Sequence, residues 1–126
     1  MRYVIAVSRP VYGHQGAFTA YQLAVALLAA GHEITQVFFF QDGVTNGNAF
    51  VYPATDEFNL QKAWQKLSRD CGIPLHLCVS AGQRRGIVDN LTALNPELTN
   101  LADGFLIAGL GEFIRATLES ERVITL

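Results

Sequence analysis

Apolar residues recur along this chain in two periods, one suited to strands and one to helices. Residues 3–7 (YVIAV) form an unbroken apolar run, the pattern of a strand covered on both faces. Residues 34–40 (ITQVFFF) are rich in β-branched and aromatic side chains and predict a second strand. Between them Phe18, Tyr21, Val25 and Leu28 recur at helical spacing with alanine in the gaps, and Gly31 stands where a helix ends. Asp42-Gly43 and the cluster at 46–48 mark a loop or a short helix.

The second half continues the alternation. Thr55 followed by Asp56 and Glu57 predicts a helix start, with Leu60, Ala63, Trp64 and Leu67 as its buried stripe and Gly72 as its end. Residues 75–79 read as a third strand. The polar stretch 81–103, broken by Gly82, Gly86 and Pro96, reads as short helical pieces and a mobile loop. Residues 105–108 predict a fourth strand, Gly109 to Gly111 lead into a helix through Leu118, and 123–126 form a fifth strand at an edge. Strands alternating with helices imply a three-layer α/β/α arrangement: a mainly parallel sheet of about five strands, helices on both faces and right-handed crossovers. With no internal repeat and no linker, residues 1–126 read as a single domain.

Composition narrows the function. Half of the 126 residues are hydrophobic and only 16% are charged, against about 25% in typical soluble domains. So apolar a small surface is expected to be covered in part by another subunit. The longest apolar stretch, residues 23–30, is far below the roughly 20 residues a bilayer span needs. Residues 1–7 offer no signal-peptide cleavage pattern. The net charge of −2 and the presence of only two lysines, Lys62 and Lys66, argue against direct nucleic-acid binding. Two cysteines without a secretory signal point to free thiols and a cytoplasmic location.

In a parallel α/β sheet, reactive groups gather at the carboxyl ends of the strands. That rule selects Ser8, Arg9, Tyr12, His14 and Gln15 after the first strand, and Gln41, Asp42 and Asn46 after the second. After the third it selects Cys78, Ser80, Gln83, Arg84 and Arg85. Cys78 is the most informative. A thiol there faces the N–H groups of the next helical turn, and with Arg84 and Arg85 close by the thiolate, the nucleophilic form, is favoured. Free cysteine is also among the most buried residue types, so simple packing is the competing reading. Cys71, seven residues earlier, matches neither a zinc pattern nor a CxxC pair and reads as structural. Of the dispersed histidines, His76 reads as packed and His14 as the better site candidate. Gly109-Leu110-Gly111 lacks the rest of a dinucleotide or P-loop fingerprint, and close packing in a tight turn is the better explanation of its glycines.

Taken together, residues 10–15 (PVYGHQ), 37–44 (VFFFQDGV), 77–89 (LCVSAGQRRGIVD) and 107–111 (IAGLG) resemble the DsrE/TusD family of sulfur-relay proteins, most closely its TusD branch. The resemblance covers essentially the whole chain and implies a DsrE-like, flavodoxin-like architecture. It implies that Cys78 carries sulfur as a persulfide, accepted from a TusA-like donor and passed to a TusE-like acceptor for 2-thiouridine formation at tRNA wobble positions. TusB- and TusC-like subunits are implied partners in a dimer of heterotrimers, with no metal or organic cofactor. Tyr12, His14, Gln15, Asp42, Ser80, Arg84 and Arg85 are the expected supporting residues. A DsrE-type role in dissimilatory sulfur oxidation, or a non-catalytic assembly role on the same fold, stands as the alternative.

Overall fold

The computed structural model describes residues 1–91 and 93–126. Its strands are β1 (Arg2–Val7), β2 (Glu33–Phe39), β3 (Leu75–Cys78), β4 (Phe105–Ala108) and β5 (Arg122–Thr125). Its helices are α1 (Gly16–Ala29), α2 (Leu60–Cys71), α3 (Val79–Arg84) and α4 (Leu110–Leu118), with 3₁₀ turns at Gln41–Gly47 and Pro96–Leu98. The strands form one sheet in the order β4-β3-β2-β1-β5, and every pairing is parallel. The expected α/β sheet of five strands is what the chain forms, with β5 at an edge.

The order explains how the helices are shared between the faces. From β1 to β4 each crossover steps the same way, and right-handed connections keep that series on one side. The step from β4 back past β1 to β5 runs the other way and carries α4 to the opposite face. One face is therefore packed by α1, α2 and the 41–47 turn, and the other by α4. On the first face Ile5, Val7, Val37, Phe39, Leu75, Leu77 and Phe105 share a core with Ala17, Ala20, Ala24 and Trp64. Trp64 is fully buried, lies edge-on to Phe39 with ring centroids 5.4 Å apart, and donates from Nε1 to Asn46 Oδ1 at 3.3 Å.

Several boundaries differ from the sequence reading. In α1 the fully buried residues are the alanines, while Phe18, Tyr21 and Leu28 flank them and Val25 is exposed. Alanine lets the helix axis approach the sheet, and the larger side chains fill the margins. Residues 54–57 form a turn, closed by Ala54 N–H donating to Glu57 Oε1, and α2 begins only at Leu60. Asn59 displaces Thr55 as the cap because its carboxamide oxygen accepts from Lys62 N–H at 3.0 Å. The helix ends as expected, with Gly72 at φ +67°. The third strand stops at Cys78, one residue early, since Val79 already begins α3. The fifth covers Arg122–Thr125 rather than 123–126. Part of the stretch expected to be a mobile loop is stitched down by buried Asn100. Its amide donates to Gly86 C=O and Asn48 Oδ1, and its Oδ1 accepts from Val88 N–H. Thr92, within the same expected loop, lies outside the described residues. Gly109 and Gly111 are not packing glycines: a Cβ built on either meets nothing within 4 Å.

Candidate functional site

Parallel strands place all their carboxyl ends on one rim, and the three loops selected from the sequence meet there. Val11 N–H donates to Thr45 Oγ1 at 3.1 Å and Asn46 Nδ2 donates to Arg9 C=O at 3.2 Å, joining the first loop to the 41–47 turn. Arg85 Nε donates to Asp42 Oδ1 at 2.9 Å and Nη1 to Ala81 C=O at 3.2 Å, joining that turn to α3. The turn is seated against β1 because residue 43 is glycine: a Cβ there would lie 2.0 Å from Val7 C=O. Just before it Gln41 adopts φ +49°, a left-handed conformation unusual for a residue with a side chain.

Cys78 closes β3 and caps α3. Its thiol is unbridged and half-buried, and the side chain makes no capping hydrogen bond to the helix. The strand's alternation turns Leu75 and Leu77 into the main core and His76 toward α4, while Cys78, at the end of the strand, packs against the main core. Across the sheet Cys78 is in register with Ala108, one residue before the turn into α4. The first-turn N–H groups of α3 follow the sulfur directly and have no carbonyl partners within that helix.

Below the thiol, His76 Nδ1 bonds the Gln36 carboxamide nitrogen, so the ring accepts there and carries its proton on Nε2. Burial pushes the pKa of His76 below the ordinary imidazole value, and the Glu112 carboxylate on α4 works against that. Gln36 is 2% exposed, and its Oε1 is the one buried side-chain polar atom without a partner among the described residues. Gln36 and Glu112 were not among the sequence candidates. The signal for the first is a lone carboxamide in an apolar strand, whereas the second is brought in by the α4 crossover.

The remaining candidates divide into three groups. Asp42 and Arg85 are paired as described. Ser80 and Arg84 lie exposed on α3, and Arg84 makes no ion pair among the described residues. Tyr12, His14 and Gln15 line a separate cleft of about 580 Å³ with Phe18, Phe58 and Leu60. There His14 Nδ1 accepts from Gly16 N–H at 2.9 Å in the first turn of α1, so that nitrogen is engaged at the helix start. Cys71 is exposed at the end of α2, before β3 begins. The four residues of β3 separate the two thiols by roughly 10 Å along the strand, which rules out a bridge between them.

A half-buried free thiol on this rim can exchange sulfur with another thiol, and comparisons with known proteins fit that chemistry. The DsrE/DsrF-like family model matches residues 1–126. A protein of Pasteurella multocida named sulfurtransferase TusD homolog is 64% identical over 126 residues, with all of both chains covered. One of the same name from Haemophilus influenzae is 66% identical over the same span, again covering both chains fully. Sulfurtransferase TusD of Salmonella dublin is 48% identical, with 98% of each chain covered. Among solved structures, the ychN protein of E. coli superposes with a TM-score of 0.77 at 25% identity, covering both chains fully. A protein of unknown function from Methanobacterium thermoautotrophicum, at 14% identity and a TM-score of 0.72 over 99% of this chain and 98% of its own, shares the fold. With the sheet, the thiol-bearing rim and end-to-end similarity in agreement, this chain belongs to the DsrE/DsrF-like family, among its TusD-type sulfurtransferases.

Proposed function

We propose that Cys78 carries sulfane sulfur as a persulfide between two partner thiols. Its thiolate attacks the terminal sulfur of a donor persulfide. The donor S–S bond breaks, the donor leaves as a thiolate and Cys78–S–SH forms. An acceptor thiolate then attacks that outer sulfur, taking it as a new persulfide and returning Cys78 as thiolate. Each step exchanges one S–S bond for another, so neither needs an external oxidant, reductant or cofactor. The observation that carries the reading is the position of Cys78: unbridged, half-buried rather than sealed, and next to the first-turn N–H groups of α3, which have no carbonyl partner within that helix. Arg85 acts through α3, which it ties to the 41–47 turn, and Arg84, without an ion pair among the described residues, adds positive charge on the same short helix.

The donor is TusA-like and the acceptor TusE-like. The sulfur is destined for 2-thiouridine at tRNA wobble positions in the cytoplasm, and TusB- and TusC-like subunits complete the assembly. Support for this pathway comes from the names of the relatives and from a surface poor in charge. With only two lysines the chain is suited to meeting thiol proteins rather than RNA itself. The test is intact-mass measurement after incubation with a protein persulfide donor. The wild type is expected to gain one sulfur, Cys71→Ser to gain it equally, and Cys78→Ser to gain none. Sulfur found on Cys71 alone, or on neither residue, would point instead to a non-catalytic assembly subunit.

A further inference from the structure

The turn at 41–47 opens on a residue its backbone does not suit. Gln41 holds φ +49°, in the left-handed region that glycine enters freely and that asparagine or aspartate enters more readily than other side chains. The left-handed step swings the chain off the end of β2, so that Gly43 settles against Val7 C=O. That path explains the conformation but not the choice of glutamine.

The fold gives the side chain no employment. Gln41 is exposed, and its carboxamide makes no hydrogen bond among the described residues. Its polar neighbours on the turn are engaged. Asp42 holds Arg85, Thr45 Oγ1 donates to Asp42 C=O and accepts from Val11 N–H, and Asn46 bonds Arg9, Gly43 and Trp64. A strained backbone kept under an unused polar side chain points to a use outside the fold.

Register shows what Gln41 lies beside. Strands β2 and β3 pair in parallel through Phe38↔His76 and Phe39↔Leu77, so the next step sets Phe40, still extended at φ −140°, level with Cys78. Gln41 is the first residue past that level. A strand spacing of about 4.8 Å and a rise of about 3.3 Å put its Cα roughly 6 Å from that of Cys78, within the span of a glutamine side chain. One residue on, the Asp42–Arg85 bond fastens the same turn to α3 on the other side of the thiol.

We propose, on the persulfide reading of Cys78, that Gln41 is a catalytic residue that touches the cargo: its carboxamide N–H donates to the outer sulfur of Cys78–S–SH. Gln41 makes and breaks no covalent bond. The persulfide forms by the exchange already given, and when its S–H ionises the proton passes to water. A carboxamide offers two N–H donors and no charge. It therefore favours the outer sulfur, most of all as an anion, less strongly than a cation would, and the sulfur stays free to leave for an acceptor.

Equilibrium sulfur transfer from a protein persulfide donor, read by intact mass in a Cys71→Ser parent, tests this. The parent is expected to gain one sulfur. Gln41→Gly, which suits the positive φ and lacks the carboxamide, is expected to lower the transfer equilibrium constant about fivefold, the worth of one ordinary hydrogen bond. Gln41→Glu, of equal reach but with acceptors only when ionised, is expected to lower it at least as far. Alkylation of unloaded Cys78 by iodoacetamide is expected to stay within about twofold of the parent in both variants, whereas a merely structural role would move thiol reactivity as well. Equal equilibrium constants in the parent and Gln41→Gly overturn the proposal, as does a Gln41→Glu protein that loads as well as the parent. So does a loss of loading matched by a loss of alkylation. If the parent itself gains no sulfur, the persulfide reading fails first and Gln41 loses its role with it.

Discussion

The two faces of the sheet are built to different standards. On the α1/α2 face Ile5, Val7, Val37, Phe39, Leu75 and Leu77 are at most 1% exposed, and the one buried indole has its N–H satisfied. On the α4 face Val4, Ala6 and Phe38 are also buried, none more than 3% exposed. The rung through His76 then ends at Leu106, which is 60% exposed, and Gln36 keeps an unpartnered oxygen. Topology is the cause. Three successive crossovers put their helices on one side, and a single nine-residue helix is left for the other. The first face supplies the stability of a closed core. The second keeps polar groups and an uncovered helix flank.

The contrast breaks most visibly on the covered face. Trp64→Ala removes the largest fully buried side chain and strands Asn46 Oδ1, so about 3–5 kcal/mol should be lost in urea unfolding. That is a large share of a typical domain stability of about 5–15 kcal/mol. Phe113→Ala, on the open face and only half-buried, is expected to lose about 1–2 kcal/mol. Equal losses at the two positions would remove the distinction. Asp42→Asn releases Arg85 from a partly exposed ion pair and is expected to lose less than about 1 kcal/mol. Most of that difference should vanish near 1 M salt, where the Debye length falls to about 3 Å.

The smallest effect is a pH dependence. Burial holds the His76 pKa below its unfolded value, so between the two values the unfolded chain binds more protons. Stability is therefore complete above the ordinary imidazole range and falls as pH drops through it toward the lowered native value. Melting temperature measured from pH 7.5 to 5.5 should decline in the wild type and decline less in His76→Gln. An identical slope in both would show that the open face imposes no such penalty.

Much of this was legible in the chain itself. The run at 3–7, the aromatic strand before Gln41 and the Trp64 stripe announce an α/β sheet because strands covered on both faces must be apolar throughout. The rule of carboxyl-end loops then finds Cys78, Asp42 and Arg85, and the structure brings Asp42 and Arg85 to within 2.9 Å. Caps were harder. Thr55 and Asn59 are both competent side chains, and only the actual path of the backbone lets Asn59 reach Lys62 N–H. His14 and His76 carry no distinguishing sequence signal, since what separates them is a turn that engages one nitrogen of the first and a sheet face that turns the second toward α4.

Local patterning determined the element types, the apolar core and the cysteine proposed to carry sulfur, because periodicity and side-chain chemistry are properties of short segments. Which face those residues share was decided by tertiary structure. The reversed step from β4 to β5 is a long-range event, and it alone leaves His76 and the exposed flank of α4 on the side of the sheet with a single helix to cover it.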